Sequence, residues 1–167
     1  MTRPDAGEVI REEMGKGRLV QRSEIAQRSE TGRRSEIARW SLIAIAVLML
    51  PAGLQAAFAP RSFFDDFPLG RGWISAGDAA YDEHLVRDVG GLFLALIVVT
   101  LWSAWRREAM AAVAIAWLVQ GVLHLGYHVG HLEGLGGADK AGLVASLVLV
   151  PVLALVALWA TITERRS

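Results

Sequence analysis

Four histidines carry most of the chemistry this chain can offer: His84, His124, His128 and His131. Offsets of four and seven from His124 place His128 and His131 along the same helical face. His84 is followed at i+4 by Asp88, and Glu83 by Arg87 in the order that favours an ion pair. Imidazoles one turn apart ligate transition metals, and a carboxylate can complete the site or orient an imidazole. The chain has no cysteine, which excludes thiolate nucleophiles, iron–sulfur clusters and Cys-type zinc sites. A metal held by His84, Asp88, His124, His128 and His131 would see only nitrogen and oxygen, a donor set suited to Zn, Mn, Fe or Cu(II). A variant is haem b held by histidines of two helices, with Gly90, Gly91, Gly121, Gly126 and Gly130 making room for the macrocycle.

The same residues support plainer readings. A histidine near a helix C-terminus satisfies the last carbonyls and the dipole, and Gly126-x-x-x-Gly130 is a close-packing motif. Histidines that titrate near neutrality also suit pH sensing. Asp88, about one turn inside a helix starting at Glu83, is the acid best placed to be drawn among the helices. Gln120 can hydrogen-bond across helices.

The elements that must position these groups are apolar blocks. Of 167 residues, 53% are hydrophobic, and they segregate into residues 40–59, 84–105, 109–131 and 141–161. Each approaches the roughly 20 residues needed to cross about 30 Å of hydrocarbon. Pro51 and Pro151 fall inside the first and last blocks and read as kinks. The blocks do not alternate as barrel strands would. The expected fold is all-α: an integral membrane four-helix bundle over 40–163 with an extracytoplasmic aromatic cap loop, a polar tail at 1–39 and a short tail at 164–167.

Net charge is zero, 17 basic against 17 acidic residues, which excludes a nucleic-acid partner recruited by bulk charge. Placed on four spans, the 17 Lys and Arg divide thirteen to four: residues 1–39, Arg106, Arg107, Arg165 and Arg166 on one side, and Arg61, Arg71, Arg87 and Lys140 on the other. The richer side is expected to be cytoplasmic, with both termini there, in a cell (inner) membrane. Trp40, Trp102, Trp105 and Trp159 all fall at that side, as an aromatic belt would. Ala57-Phe58-Ala59 imitates a signal-peptidase site, but Pro60 directly after it argues against cleavage.

Residues 21–38 hold three hexapeptides, QRSEIA, QRSETG and RRSEIA. A period of six matches no helical seam, and its Arg/Glu alternation reads as a dispensable tail, disordered or a frayed polar helix. Ser23, Ser29 and Ser35 follow arginines as phosphorylation cassettes would.

Residues 60–82 interleave Phe63, Phe64, Phe67 and Trp73 with Arg61, Asp65, Asp66 and Arg71, the texture of an interfacial lid. Asp65-Asp66 alone makes a poor cation site. On PRSFFDDFP at 60–68, Trp73 and YDEHLVRDVG at 81–90, the chain resembles a group of small four-span membrane proteins from high-GC Gram-positive bacteria. The resemblance covers residues 40–160, with Asp82 standing where that group commonly has Asn. A fainter similarity is to DoxX-like membrane proteins. It implies the architecture and no activity. No hydrolase, kinase, phosphate-loop or dinucleotide motif is present, so no enzyme activity is expected. Two functions remain open: a structural or interaction subunit of the cell envelope, homo-oligomeric or bound to an envelope protein, and a metal- or haem-binding redox or transport component. The lipid bilayer is the one partner common to both.

Overall fold

The computed structural model describes residues 6–76 and 80–164. Among these every regular element is helical: α1 (Ala6–Phe58), α2 (Pro60–Asp66), α3 (Glu83–Arg106), α4 (Met110–Val129) and α5 (Gly137–Glu164). Four of them contain stretches long and apolar enough to cross a membrane, namely Gln21–Phe58, Glu83–Arg106, Met110–Val129 and Gly137–Ile162. Pro51 and Pro151 lie inside α1 and α5, as expected.

Local chemistry sets the boundaries. Pro60 opens α2 at a position where its missing N–H costs nothing. Asp82 caps α3 by accepting from the Leu85 amide at 3.1 Å. α3 ends where Arg107 turns left-handed, at φ 57°, and Ala109 repeats the conformation at φ 55° before α4 begins. The Ser103 hydroxyl donates to the Glu108 carbonyl inside this turn.

Of the two readings of the polar tail, disordered or helical, the described residues are helical. From Ala6 it is a continuous part of α1, 53 residues that reach about 80 Å at 1.5 Å per residue. The repeat is rich in Arg and Glu, both good helix formers, and Glu30 and Arg34 pair at i,i+4 across 3.8 Å. Period six prevents a hydrophobic seam; it does not prevent a helix. The end of this stretch is also anchored: Arg107 donates to the Ser35 hydroxyl at 3.2 Å and pairs with Glu36.

One core joins the four long helices. Leu42 and Ile45 of α1, Ile97 of α3, Trp117 of α4 and Ala154, Ala157 and Ala160 of α5 are all buried in it. At its centre the Trp117 indole N–H donates to the Thr100 hydroxyl at 2.8 Å, and Thr100 donates on to the Leu96 carbonyl at 2.6 Å. Both side chains are fully buried with their hydrogen-bonding capacity engaged. Large apolar residues such as Leu92, Val98, Ile115, Leu123 and Leu155 face outward, an inverted surface for a water-soluble domain.

Helix pairing follows two glycines. A Cβ on Gly90 would lie 2.3 Å from the Ala57 amide nitrogen, so α3 lies directly on the α1 backbone. A Cβ on Gly121 would lie 2.9 Å from Pro151 Cδ, which seats α4 on the proline ring of α5. The expected contact motif, Gly126-x-x-x-Gly130, does neither: nothing outside its own helix approaches Gly126 within 4 Å, and Gly130 meets only its own preceding turn. The small residues that matter are those aligned with a backbone or a proline ring on the facing helix. α3 and α4, although joined by a three-residue turn, share little contact.

Candidate functional site

The space left between the two pairs is the site. A chamber of about 380 Å³ is walled by Leu48, Met49 and Ala52 of α1, Val89 and Phe93 of α3, and Leu143, Leu147 and Val150 of α5. Phe63, Phe67, Trp73 and Ile74 of the α1–α3 connection line it as well. Its polar groups lie on α4 and α5: Gln120, His124, Tyr127, His128 and Ser146. Among the described residues, none with a permanent formal charge lines it.

The connection is held over this region by specific bonds. Arg61 pairs with Asp65 at 2.6 Å and stands 4.9 Å over the Tyr81 ring, while Phe64 meets Tyr81 edge-on at 5.4 Å. Gln55 of α1 donates to Ser62 at 3.1 Å, which donates to Asp66 at 2.9 Å. Asp65 and Asp66 are thus engaged within the chain. The Trp73 indole donates to Asp139 at the start of α5 at 2.9 Å, and Arg71 donates to the same oxygen. The Trp73 ring then rests on Gly142, where a Cβ would meet it at 3.3 Å. Gly134, at φ 78°, would bring a Cβ within 2.3 Å of the Ala76 carbonyl, so the α4–α5 turn packs directly on the connection.

The histidine and carboxylate candidates fall into separate groups. His124 and His128 are half-buried, with ring centroids 4.6 Å apart in an edge-on contact. Tyr127 meets His128 edge-on at 5.5 Å and stacks on His131 at 4.2 Å. His131 lies just beyond α4, exposed, its Nδ1 2.8 Å from the Tyr127 carbonyl oxygen. This is the C-terminal carbonyl contact that histidine near a helix end favours.

His84 and Asp88 form their own pair on α3, Nε2 to Oδ2 3.4 Å, with side chains 89% and 60% exposed. Asp88 is not drawn among the helices. Gly90 must face α1, and Asp88, two residues earlier, points about 200° away around the helix. Arg87, about 60° from Gly90, instead reaches across to the Ala57 carbonyl at 2.7 Å and pairs with Glu83 at 2.9 Å. Among the described residues no three His, Asp or Glu side chains converge on a point that could hold a metal ion. The helical face shared by His124 and His128 is directed into the chamber, and His84 and Asp88 lie outside it.

Gln120 was legible as a polar group deep in a span, and it lines the chamber. Phe93 and the Trp73–Asp139 bond had no local signal, because each gains meaning only from a partner distant in sequence. Ser146 had none either: its hydroxyl donates to the Leu143 carbonyl at 2.8 Å, which leaves its oxygen lone pairs available. Comparison of the chain with protein-family models, with curated proteins and with solved structures finds no match.

Proposed function

We propose that this protein is a four-span membrane protein of the cell envelope that works as a binding and interaction subunit, holding an uncharged, membrane-soluble molecule in the chamber between its helix pairs. The carrying observation is the lining of that chamber: apolar and aromatic walls, a few polar groups on one side, and, among the described residues, no fixed charge. Such a mixture is typical of small-molecule sites, and about 380 Å³ lies within their usual range of roughly 300–1,000 Å³. A charged ligand would lose its hydration there without a counter-ion.

The membrane setting rests on the outward-facing apolar residues and on four helices of sufficient length. The thirteen-to-four division of basic residues and the exposed Trp40, Trp102, Trp105 and Trp159 at one end support cytoplasmic termini and an extracytoplasmic connection acting as a lid. The resemblance to small four-span actinobacterial-type membrane proteins fits this architecture. A polar helical extension of α1 would project from the cytoplasmic face as a surface for protein partners.

Because the chain contains no cysteine, single-cysteine labelling reports orientation directly. Ser75→Cys is expected to react with a membrane-impermeant maleimide on intact cells, and Ser29→Cys only after permeabilisation; the opposite pattern overturns the orientation. Native mass spectrometry of protein released from its own membranes tests the binding role. An uncharged adduct is expected on the wild type and lost in Ala52→Leu, which fills the chamber; an adduct-free wild type overturns it.

A further inference from the structure

The chamber's polar groups are arranged in a way that narrows its ligand. Gln120, His124 and His128 recur every four residues along α4, a row about 12 Å long at 1.5 Å per residue. An amide and a neutral imidazole each carry an N–H donor. The other elements lining the chamber contribute flat rings: Phe63, Phe67 and Trp73 from the connection and Phe93 from α3. A ring system fits between such walls, where aromatic faces stack favourably. Its acceptors must lie on its edge, at a spacing the α4 donors can meet.

The chamber also opens sideways. Leu48 of α1, Val89 of α3 and Leu149 of α5 line it and yet are 46%, 36% and 41% exposed. They belong at once to the chamber wall and to the apolar outer surface. An occupant can therefore keep a head group inside while a hydrocarbon tail leaves between the helices. A straight acyl chain would use the apolar walls and leave the donor row unpaired, at the cost of desolvating those groups without hydrogen bonds.

We infer that the ligand of this chamber is a quinone-class molecule: a neutral planar ring with carbonyl oxygens on its edge and an isoprenoid or alkyl tail. This identification rests on the chamber being a binding site for an uncharged membrane-soluble molecule, and it names the class. Gln120 and His124 donate to one carbonyl side, His128 lies nearer the connection, and Trp73 and Phe93 bracket the ring. Only binding is assigned; no electron transfer is part of the inference.

The test uses the full chain in lipid nanodiscs with two photoreactive probes, an azido-naphthoquinone and a diazirine-bearing alkane, and maps labelled peptides by mass spectrometry. Saturable naphthoquinone labelling of residues 120–128 and 63–74 is expected, competed by menadione and not by hexadecane. His124→Leu and Gln120→Leu should each weaken menadione competition about tenfold, the loss of one hydrogen bond to a buried carbonyl. His124→Asn, which restores an N–H donor, should recover part of it, and circular dichroism checks that each variant keeps its helices. Saturable alkane labelling of the chamber that menadione fails to compete overturns the quinone class and leaves the binding role standing. Labelling by neither probe above the lipid-facing background overturns both.

Discussion

The two halves of this molecule use the same four helices and reach opposite packing results. Near the α3–α4 turn the core is filled: small residues, Ala38, Ala46, Ala114 and Ala157 among them, let the backbones approach, and one large ring, Trp117, occupies the centre. Toward the connection, the tightest helix-to-helix approaches are Gly90 on Ala57 and Gly121 on Pro151. Those contacts set α3 on α1 and α4 on α5; α1 also packs along α5, and the space that remains lies beside the connection. Aliphatic residues, large rings and a few hydrogen-bonding groups line the chamber that remains. The difference shows that a cavity in a helical protein can arise from where small residues are placed as much as from where large ones are absent.

The sharpest way to break that contrast is to empty the filled half. Trp117→Ala should cost about 3–5 kcal/mol, the range for removing a buried tryptophan, read from the unfolding midpoint in mixed micelles by near-ultraviolet circular dichroism. Trp117→Phe should cost much less, because it keeps a ring in the core and loses only the bond to Thr100, about 1 kcal/mol. If the two variants lose the same stability, the indole hydrogen bond and not the volume holds this half together.

Next in size is the pairing contact. Gly90→Ala places a methyl where the α1 backbone stands, at 2.3 Å from the Ala57 nitrogen, and overpacking of this kind costs about 1–3 kcal/mol. Its neighbour is the control: a Cβ on Gly91 meets nothing within 4 Å, so Gly91→Ala should be neutral or stabilise by about 0.5–1 kcal/mol through helix propensity. Equal effects at the two positions would show that α3 does not lie on α1 through Gly90.

How far these features were legible in the sequence follows from their range. Hydrophobic blocks are local, and four long helices appear where they were expected, with α3 starting at Glu83. The face shared by His124 and His128 is also local, and it does line the chamber. Facing between helices is not local. Which of Gly90, Gly91, Gly121, Gly126 and Gly130 meets a neighbour depends on rotation and register, and the motif spacing of Gly126 and Gly130 misled. In the sequence the tail stays open between disorder and a polar helix for a different reason: without a seam nothing local decides between them, whereas Arg and Glu propensity and the Ser35, Glu36 and Arg107 contacts favour the helix.

A smaller effect is expected where the connection meets α5. Asp139→Asn keeps the size of the side chain but removes the charge that receives both Trp73 and Arg71. The ring of Trp73 still has the Gly142 surface to rest on, so the helices should stay folded while the connection loosens. A several-fold faster maleimide reaction at Ala52→Cys, inside the chamber, measures that loosening. An unchanged rate would mean that aromatic packing alone keeps the connection in place.

The smallest effect belongs to the residue whose chemistry looked strongest in isolation. Asp88 has an imidazole one turn away and a position near a helix start, yet its side chain is 60% exposed and, among the described residues, pairs with His84. Exposed ion pairs contribute little, because water and salt screen them and two side chains lose freedom in forming them. Asp88→Asn and His84→Ala should leave both the unfolding midpoint and chamber labelling unchanged, singly and together. His124→Leu, on α4 at the chamber wall, should alter labelling under the same conditions. A loss of chamber binding in Asp88→Asn would mean that the α3 pair acts on the α4 row after all. The faces fixed by Gly90 and Gly121 would then not be those of the working protein.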